Sequence, residues 1–398
     1  MNVAGRDETR VARDSMNQHA IRIRAALVAV LGVVLVACGA DELPGAGTNT
    51  TEAAGAGLGS VCPNPVIVQT DWFPEAEHGA TYELVGGDYA VDVENQRVTG
   101  SLVASGLDTG VGIEVRTGGP AIGYQPVSTQ MYTEPEIHIG FVSTDEAVMF
   151  ADDAPTVAVI APLEKNPQII MWDPETYPEA KTIADLGELG VTVNVFAGST
   201  FVDVLVAQGI LQADQVDPSY DGSPGRFIAS RGEIAQQGFA SAEPYTYEFV
   251  FQEWGKPVEF QLIHDAGFQI YGQALAVRAA GLDTFRPCLE RLVPIMQQAA
   301  VDYARDPSRV NAMIVDVVDR YDSFWVYEQG VAEYSVATQL ELGLVGDGPD
   351  STLGNMDPTR VQAVIDAMVS AGMNVRDGLS AADISTNEFI DPAIGLGD

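Results

Sequence analysis

Lysine is nearly missing from this chain: Lys165, Lys181 and Lys256 are the only three in 398 residues, and the formal net charge is -36. Such a surface offers no basic stripe to phosphates, so nucleic acid is excluded as a partner, while self-repulsion keeps the chain hydrated. Cysteine is also scarce, with three in all and no cluster, and His78, His138 and His264 lie far apart without metal-ligand spacing. The signatures G-x-S-x-G, S-x-x-K, H-E-x-x-H and the P-loop are absent, which removes the common hydrolytic and phosphoryl-transfer motifs. DPSYDGSPGRFI, from Asp217, resembles a calcium loop until its last position, where Ile228 replaces the bidentate glutamate.

What is present begins with a targeting pattern. Arg22 and Arg24 precede an apolar run from Ala25 to Ala37, too short to span a bilayer at ~20 residues and laid out like a secretory signal. Residues 1–37 are expected to be that signal, with Met16 as an alternative start. Leu35-Val36-Ala37-Cys38 resembles the bacterial lipobox, which makes Cys38 the expected lipidation site and the membrane a partner through a lipid anchor. Residues 38–60 are Gly/Ala/Thr-rich without apolar periodicity and read as a flexible tether. Cys62 and Cys288 then remain, expected in an oxidising compartment, either as a disulfide or as two buried thiols.

From Val66 onward, apolar strand-like runs alternate with helices. VIVQT, VGIEVR, EIHIGFV, TVAVIAP, VTVNVF and VEFQLIH read as strands, and their near-continuous apolar character implies parallel sheets covered on both faces. STDEAVMFA and STFVDVLVAQG read as helices, the first with cap candidates Ser143 and Thr144 and acids in its first turn. The last third is helical, and two segments there open with Asp-Pro. This is an α/β body followed by helical packing.

Ligands of open α/β sheets sit beyond the carboxyl ends of strands. TDWFPEAEH, GFVSTDEA, FAGSTF and GFASAEPYTYE qualify by position. DWFPEAEHG resembles the D-W-x-P-N-x-x-H-x-G signature of extracytoplasmic solute-binding proteins related to thiamine-pyrimidine synthases, with sulfonate and nitrate binders as more distant kin. The likeness continues in order through GFVSTDEA, IAQQGFASAEPYTYE, LIHDAGFQIYG and PCLERLVPIMQQAAVDYARDP, from about Val66 to Pro307. It implies a type II periplasmic-binding-protein fold: two α/β lobes joined by two crossovers, with the helical C-terminal third packed on lobe I. The crossovers are expected near Pro162 to Ile170 and Asp265 to Gln273, giving lobe I residues 61–167 and 269–398 and lobe II residues 168–268.

The resemblance carries Asp71, Trp72 and His78 into a cleft and puts Glu75 where the family commonly has asparagine. Trp72 is the candidate for stacking on a flat ligand, whereas Trp172, Trp254 and Trp325 are assigned to packing. Asp71 and His78 have capping or hinge bonding as alternatives. Ser143 and Asp145, at a helix start in the first lobe, are further ligand-binding candidates, and Ser199 and Thr200 in the second would present hydroxyls and backbone N–H groups from a helix start, which suits an anion or carbonyl. Glu243 could take paired hydrogen bonds from an aminopyrimidine-like edge, with Tyr245 beside it and a hinge salt bridge as the bland alternative. Tyr124, after the Gly118-Gly119-Pro120 turn, and Tyr271 are weaker aromatic candidates.

The expected function is therefore a lipid-anchored, monomeric receptor of an ABC importer, acting with a permease and its ATPase. It would capture a small flat nitrogen heterocycle, thiamine-precursor-like or riboflavin-like, with no cofactor and no bond made or broken. Two alternatives stand beside it. One is a binder of sulfonate, nitrate or taurine, served by Arg116, Arg226 or Arg231; the other is a pyrimidine-salvage enzyme on the same fold. The related synthases use clustered cysteines and a lysine-bound pyridoxal phosphate, neither of which has a counterpart here.

Overall fold

The structure is a computed structural model that describes residues 57–397. The signal segment, Cys38 and most of the expected tether fall outside the described residues. The tether gives way to structure sooner than its composition implies: Leu58–Ser60 form a 3-10 turn, and Leu58, 1% exposed, joins the core beside β-strand residues. One leucine in a glycine-rich run has no periodicity to betray its burial.

Twelve strands occur among the described residues: β1 (Val66–Gln69), β2 (Ala90–Asp92), β3 (Arg97–Ala104), β4 (Leu107–Arg116), β5 (Ile139–Phe141), β6 (Thr156–Ile160), β7 (Gln168–Trp172), β8 (Val193–Asn194), β9 (Val216–Asp217), β10 (Ala235–Phe239), β11 (Glu259–Leu262) and β12 (Leu275–Arg278). They form a seven-stranded sheet in the order β2-β3-β4-β1-β5-β12-β6 and a five-stranded sheet in the order β11-β7-β10-β8-β9. The chain leaves the first sheet after β6, builds the second from β7 to β11, and returns as β12. Residues 161–167 and 263–274 are the two crossovers between two α/β lobes.

The sheets are mixed, which corrects the expectation of parallel ones. β1 runs parallel to β4 and β5, and β8 to β9 and β10, but β12 is antiparallel to both its neighbours and β7 to β10 and β11. β2, β3 and β4 form an antiparallel meander. The tight β3–β4 turn has Ser105 and Gly106 both at positive φ, as a two-residue hairpin turn requires. An apolar strand says nothing of its partner's direction, and a chain that crosses to the other lobe and back reverses the sense of the strand on which it returns.

The long helix Leu282–Arg305 turns Leu289, Leu292, Val293, Met296 and Ala299 inward at spacings of three and four. With the helices Ser308–Tyr321 and Gln329–Glu341 it buries the outer face of the first sheet, so the helical third packs on lobe I. The helix Pro358–Ser370, opened by Asp357 as a cap to Thr359 N, also touches lobe II: it packs on Thr144–Met149 of lobe I and on Thr200–Ala207 of lobe II. Trp172, 0% exposed, belongs to the core of lobe II, and Trp254 packs under the Lys256 ammonium, 4.6 Å from the ring centre.

Cys62 and Cys288, 226 positions apart in the sequence, are joined by a disulfide that ties the start of the described chain to the long helix. Closing so long a loop in the unfolded chain is unfavourable by roughly 5 kcal/mol on chain entropy alone, an upper figure. The double variant Cys62→Ser, Cys288→Ser is expected to lose about 2 to 5 kcal/mol of unfolding free energy, read from guanidinium titration. Unchanged stability would show that the bridge constrains nothing the packing does not already hold.

Candidate functional site

The turn after β1 is braced before it carries any chemistry. Gln69 Nε2 donates to the carbonyls of Thr70, Arg116 and Thr117 at 3.0–3.2 Å, and Thr70 Oγ1 donates to Trp72 O at 2.7 Å. Gly118 N donates in turn to Trp72 O at 3.1 Å. A Cβ on Gly118 would fall 2.1 Å from Thr70 O, and one on Gly119, at φ 57°, would meet the Trp72 ring at 2.5 Å. The Gly-Gly-Pro turn thus exists to let the segment Asp71–Glu75 lie close against it.

Trp72 projects from this turn into a cage. Its ring centre lies 5.9 Å from Trp325, 6.1 Å from Tyr124 and 6.1 Å from Phe196 of lobe II. Together with Tyr220 and Phe239 these rings line a cavity of about 330 Å³ between the lobes. Its polar lining is Asp71 and Glu75 from lobe I, Gln125, and Gln168, Gln237 and Glu243 from lobe II. No arginine, lysine or histidine is among the lining residues.

Two of the glutamines have a fixed orientation. Phe196 N donates to Gln237 Oε1 at 3.1 Å, which leaves Gln237 Nε2 as the free end. Asn166 Oδ1 accepts from Gln168 N, so Asn166 Nδ2 is the donor to Gln168 Oε1 at 3.0 Å, and Gln168 Nε2 is likewise free. Lobe II therefore presents two amide donors, and the carboxyl groups present acceptors.

The carboxyl groups are out of the ordinary range. Burial, then the charges of Glu77, Asp71 and Glu243, raise the Glu75 carboxyl well above its usual value. The neighbouring Gln273 acts in the opposite sense by hydrogen bonding to Glu75; its Nε2 also lies 3.4–3.5 Å from the Asp71 carboxylate, and its Oε1 is buried without a partner. Glu243 is pushed up to about 7, mainly by burial, although its Oε2 accepts from Phe239 N at 2.6 Å. Glu77, directly behind the lining, is raised by burial and accepts from Ser241 of lobe II.

Of the sequence candidates, Asp71, Trp72, Glu75, Tyr124 and Glu243 meet in this cavity. Ser143, Asp145, Ser199 and Thr200 line a second cavity of about 340 Å³, which shares Tyr124 and Gln168 with the first. Thr200 Oγ1 there donates to Asp145 Oδ2 across the lobes. Ser143 caps its helix through Glu146 N, while Ser199 turns its hydroxyl to Phe196 O instead of capping.

Three candidates are placed elsewhere. His78, 0% exposed, lies behind Asp71 and holds it through Nε2 at 2.6 Å, so it positions a lining residue without touching the cavity. Tyr245 is two residues beyond Glu243 in a helical turn, about 200° around the axis, and packs on Tyr334 and Phe249. Tyr271 is buried: its hydroxyl accepts from Asp357 N at 2.8 Å and its ring lies 3.8 Å under Arg360. Trp325, assigned to packing from sequence, lines the cavity instead. Phe196 and Tyr220 went unmarked although they lie in FAGSTF and in the calcium-like DPSYDG; only the fold brings those loops to Trp72. Among the described residues no group of three or more His, Cys, Asp or Glu side chains could hold a metal ion.

Neither the protein-family profiles nor the curated protein sequences include a match to the chain. Solved structures do match. The alkanesulfonate-binding protein SsuA from Xanthomonas axonopodis pv. citri, bound to MOPS, aligns with a TM-score of 0.51 at 12% identity, over 81% of this chain and 100% of that one. A protein of Bordetella bronchiseptica RB50 aligns with a TM-score of 0.50 at 13% identity, over 82% and 96% of the two chains. The periplasmic aliphatic sulphonate binding protein SsuA from Escherichia coli gives 0.48 at 13%, over 78% and 86%. The fold is that of the periplasmic binding proteins.

The raised Glu243 carboxyl has a stability consequence. An acid whose folded pKa lies above its unfolded value favours folding below about pH 4.5, and that contribution is lost as pH rises through about 7. Glu243→Gln removes the ionisation while keeping an acceptor for Phe239 N. Its melting temperature is expected to fall less steeply than that of the parent protein between about pH 5 and about pH 8, by calorimetry. Parallel profiles would mean that Glu243 is not held protonated in the folded state.

Proposed function

We propose that the protein is the extracytoplasmic, lipid-anchored solute receptor of an ABC importer, and that its guest is a small flat nitrogen heterocycle. The observation that carries this reading is the interlobe cavity itself: aromatic faces from both lobes around Trp72, amide donors from Gln168 and Gln237, and carboxyl acceptors from Asp71, Glu75 and Glu243. Rings of that kind carry donors and acceptors around a planar edge, which such a lining can satisfy while the faces stack. Closure of the lobes on the guest would present a surface to a permease and its ATPase, with Cys38 anchoring the protein to the membrane.

A sulfonate or nitrate guest is less well served. The solved relatives named for sulfonates share the fold, but an anion in this cavity would face carboxyl groups with no cation to receive it. Arg116 is engaged by Glu114 and Glu134 at 2.6 Å each, and Arg226 by Asp217; neither lines the cavity. Binding without turnover is the proposed activity, so purified protein should return its solute unchanged.

A thermal-shift screen of thiamine precursors, riboflavin and purines against taurine and nitrate tests the reading. A heterocycle should raise the melting temperature, and Trp72→Ala should weaken the best hit by about 1–3 kcal/mol of stacking, roughly 5- to 150-fold, with an unchanged circular dichroism spectrum. A shift from taurine or nitrate alone, or one indifferent to Trp72→Ala, would remove the heterocycle and its stacking from the site.

A further inference from the structure

The cavity confines carboxyl groups from opposite lobes, Asp71 and Glu75 on one side and Glu243 on the other, with no basic side chain in its lining. Glu75 faces Asp71, Glu77 and Gln273; Glu243 faces Glu77, Tyr220 and Tyr247. His78 is turned to Asp71, and Lys256 of lobe II, which does not line the cavity, is held by Asp173 and Glu175 at 3.0 and 2.6 Å. Every group that meets the two glutamates is thus acidic or neutral. Shutting two lobes over like charges in a medium poorer in water than the surface is unfavourable unless protons or a guest cation neutralise them. The rings that surround the same space present negative faces, on which a flat cation stacks better than a neutral ring.

We infer that the solute is itself a flat cation, with an amidinium-like or protonated ring-amine edge set between Glu75 and Glu243 and its face on Trp72, so that the guest's charge draws the two lobes together. This rests on the cavity being the solute site, and it narrows the heterocycle to one that is positively charged when bound. The charge also makes binding proton-linked. Both glutamates are held towards their protonated forms by burial, so an arriving cation displaces protons and binds more tightly as pH rises through about 7.

The full-length protein titrated with benzamidine, benzamide and benzenesulfonate separates the possibilities, because the three share a ring and differ in charge. Benzamidine should bind at least about tenfold more tightly than benzamide, and benzenesulfonate should give no response. Benzamidine affinity should rise several-fold from about pH 6 to about pH 8, with a calorimetric heat that varies with the buffer's ionisation enthalpy. Glu75→Gln and Glu243→Gln, which keep size and an acceptor, should each erase most of the preference for benzamidine over benzamide. Equal binding of benzamide, any binding of benzenesulfonate, no response to benzamidine, or a preference that survives both substitutions overturns the inference. Should riboflavin give a shift that Trp72→Ala abolishes while benzamidine gives none, the receptor stands and the charge of its guest is wrong. Should no solute of any charge bind, both fall.

Discussion

Carboxyl groups held out of water where two lobes meet are the constraint around which this protein is arranged. Glu75 and Glu77 are almost wholly buried, with Glu243 against them from the other lobe. Buried acids of like sign must be neutralised, hydrogen-bonded or met by a partner. The protein supplies hydrogen bonds through Phe239 N, Ser241 and Gln273, and no arginine or lysine lines the cavity. What remains is an acidic, ring-lined space between the lobes.

The rest of the fold can be understood as the means of holding that space. Parallel strands of lobe I deliver the Asp71–Glu75 turn and the glycine turn beside it, and the second sheet delivers Gln168 from the start of β7 and Gln237 from the middle of β10. The two crossovers let the lobes face one another while each keeps its own sheet. The helical third does more than cover lobe I: Trp325 follows its second long helix into the cavity, and the helix Pro358–Ser370 lies against both lobes. A contact shared by both lobes at the rear, with Thr200 bonded to Asp145 across the cleft, ties cavity geometry to the packing of helices distant in sequence.

Likeness of fold does not carry over to the side chains of the cavity. The alkanesulfonate-binding protein from Xanthomonas axonopodis pv. citri shares the fold at 12% identity, a level at which side chains in a cleft are free to differ. The architecture is set by the whole chain, whereas the charge of the lining is a property of a few side chains. Glu75 adds one of the three acids that line the cavity.

Much of this was legible in the sequence for local reasons. Apolar runs bounded by caps mark strands and helices because burial periodicity and end-capping are properties of neighbouring residues, and the motifs from Asp71 to Glu243 contain several residues that line the interlobe cavity. Strand direction, the burial of Leu58, the inward path of Trp325, and the diversion of Tyr245 and Tyr271 into packing were decided only by tertiary structure. Each depends on which distant segment arrives alongside: Tyr334 for Tyr245, Arg360 and Asp357 for Tyr271, Phe73 and Trp72 for Trp325. The sequence by itself determined which side chains are acidic and aromatic. Whether they face a guest or a neighbour was left to the way two sheets and a set of helices fill space together.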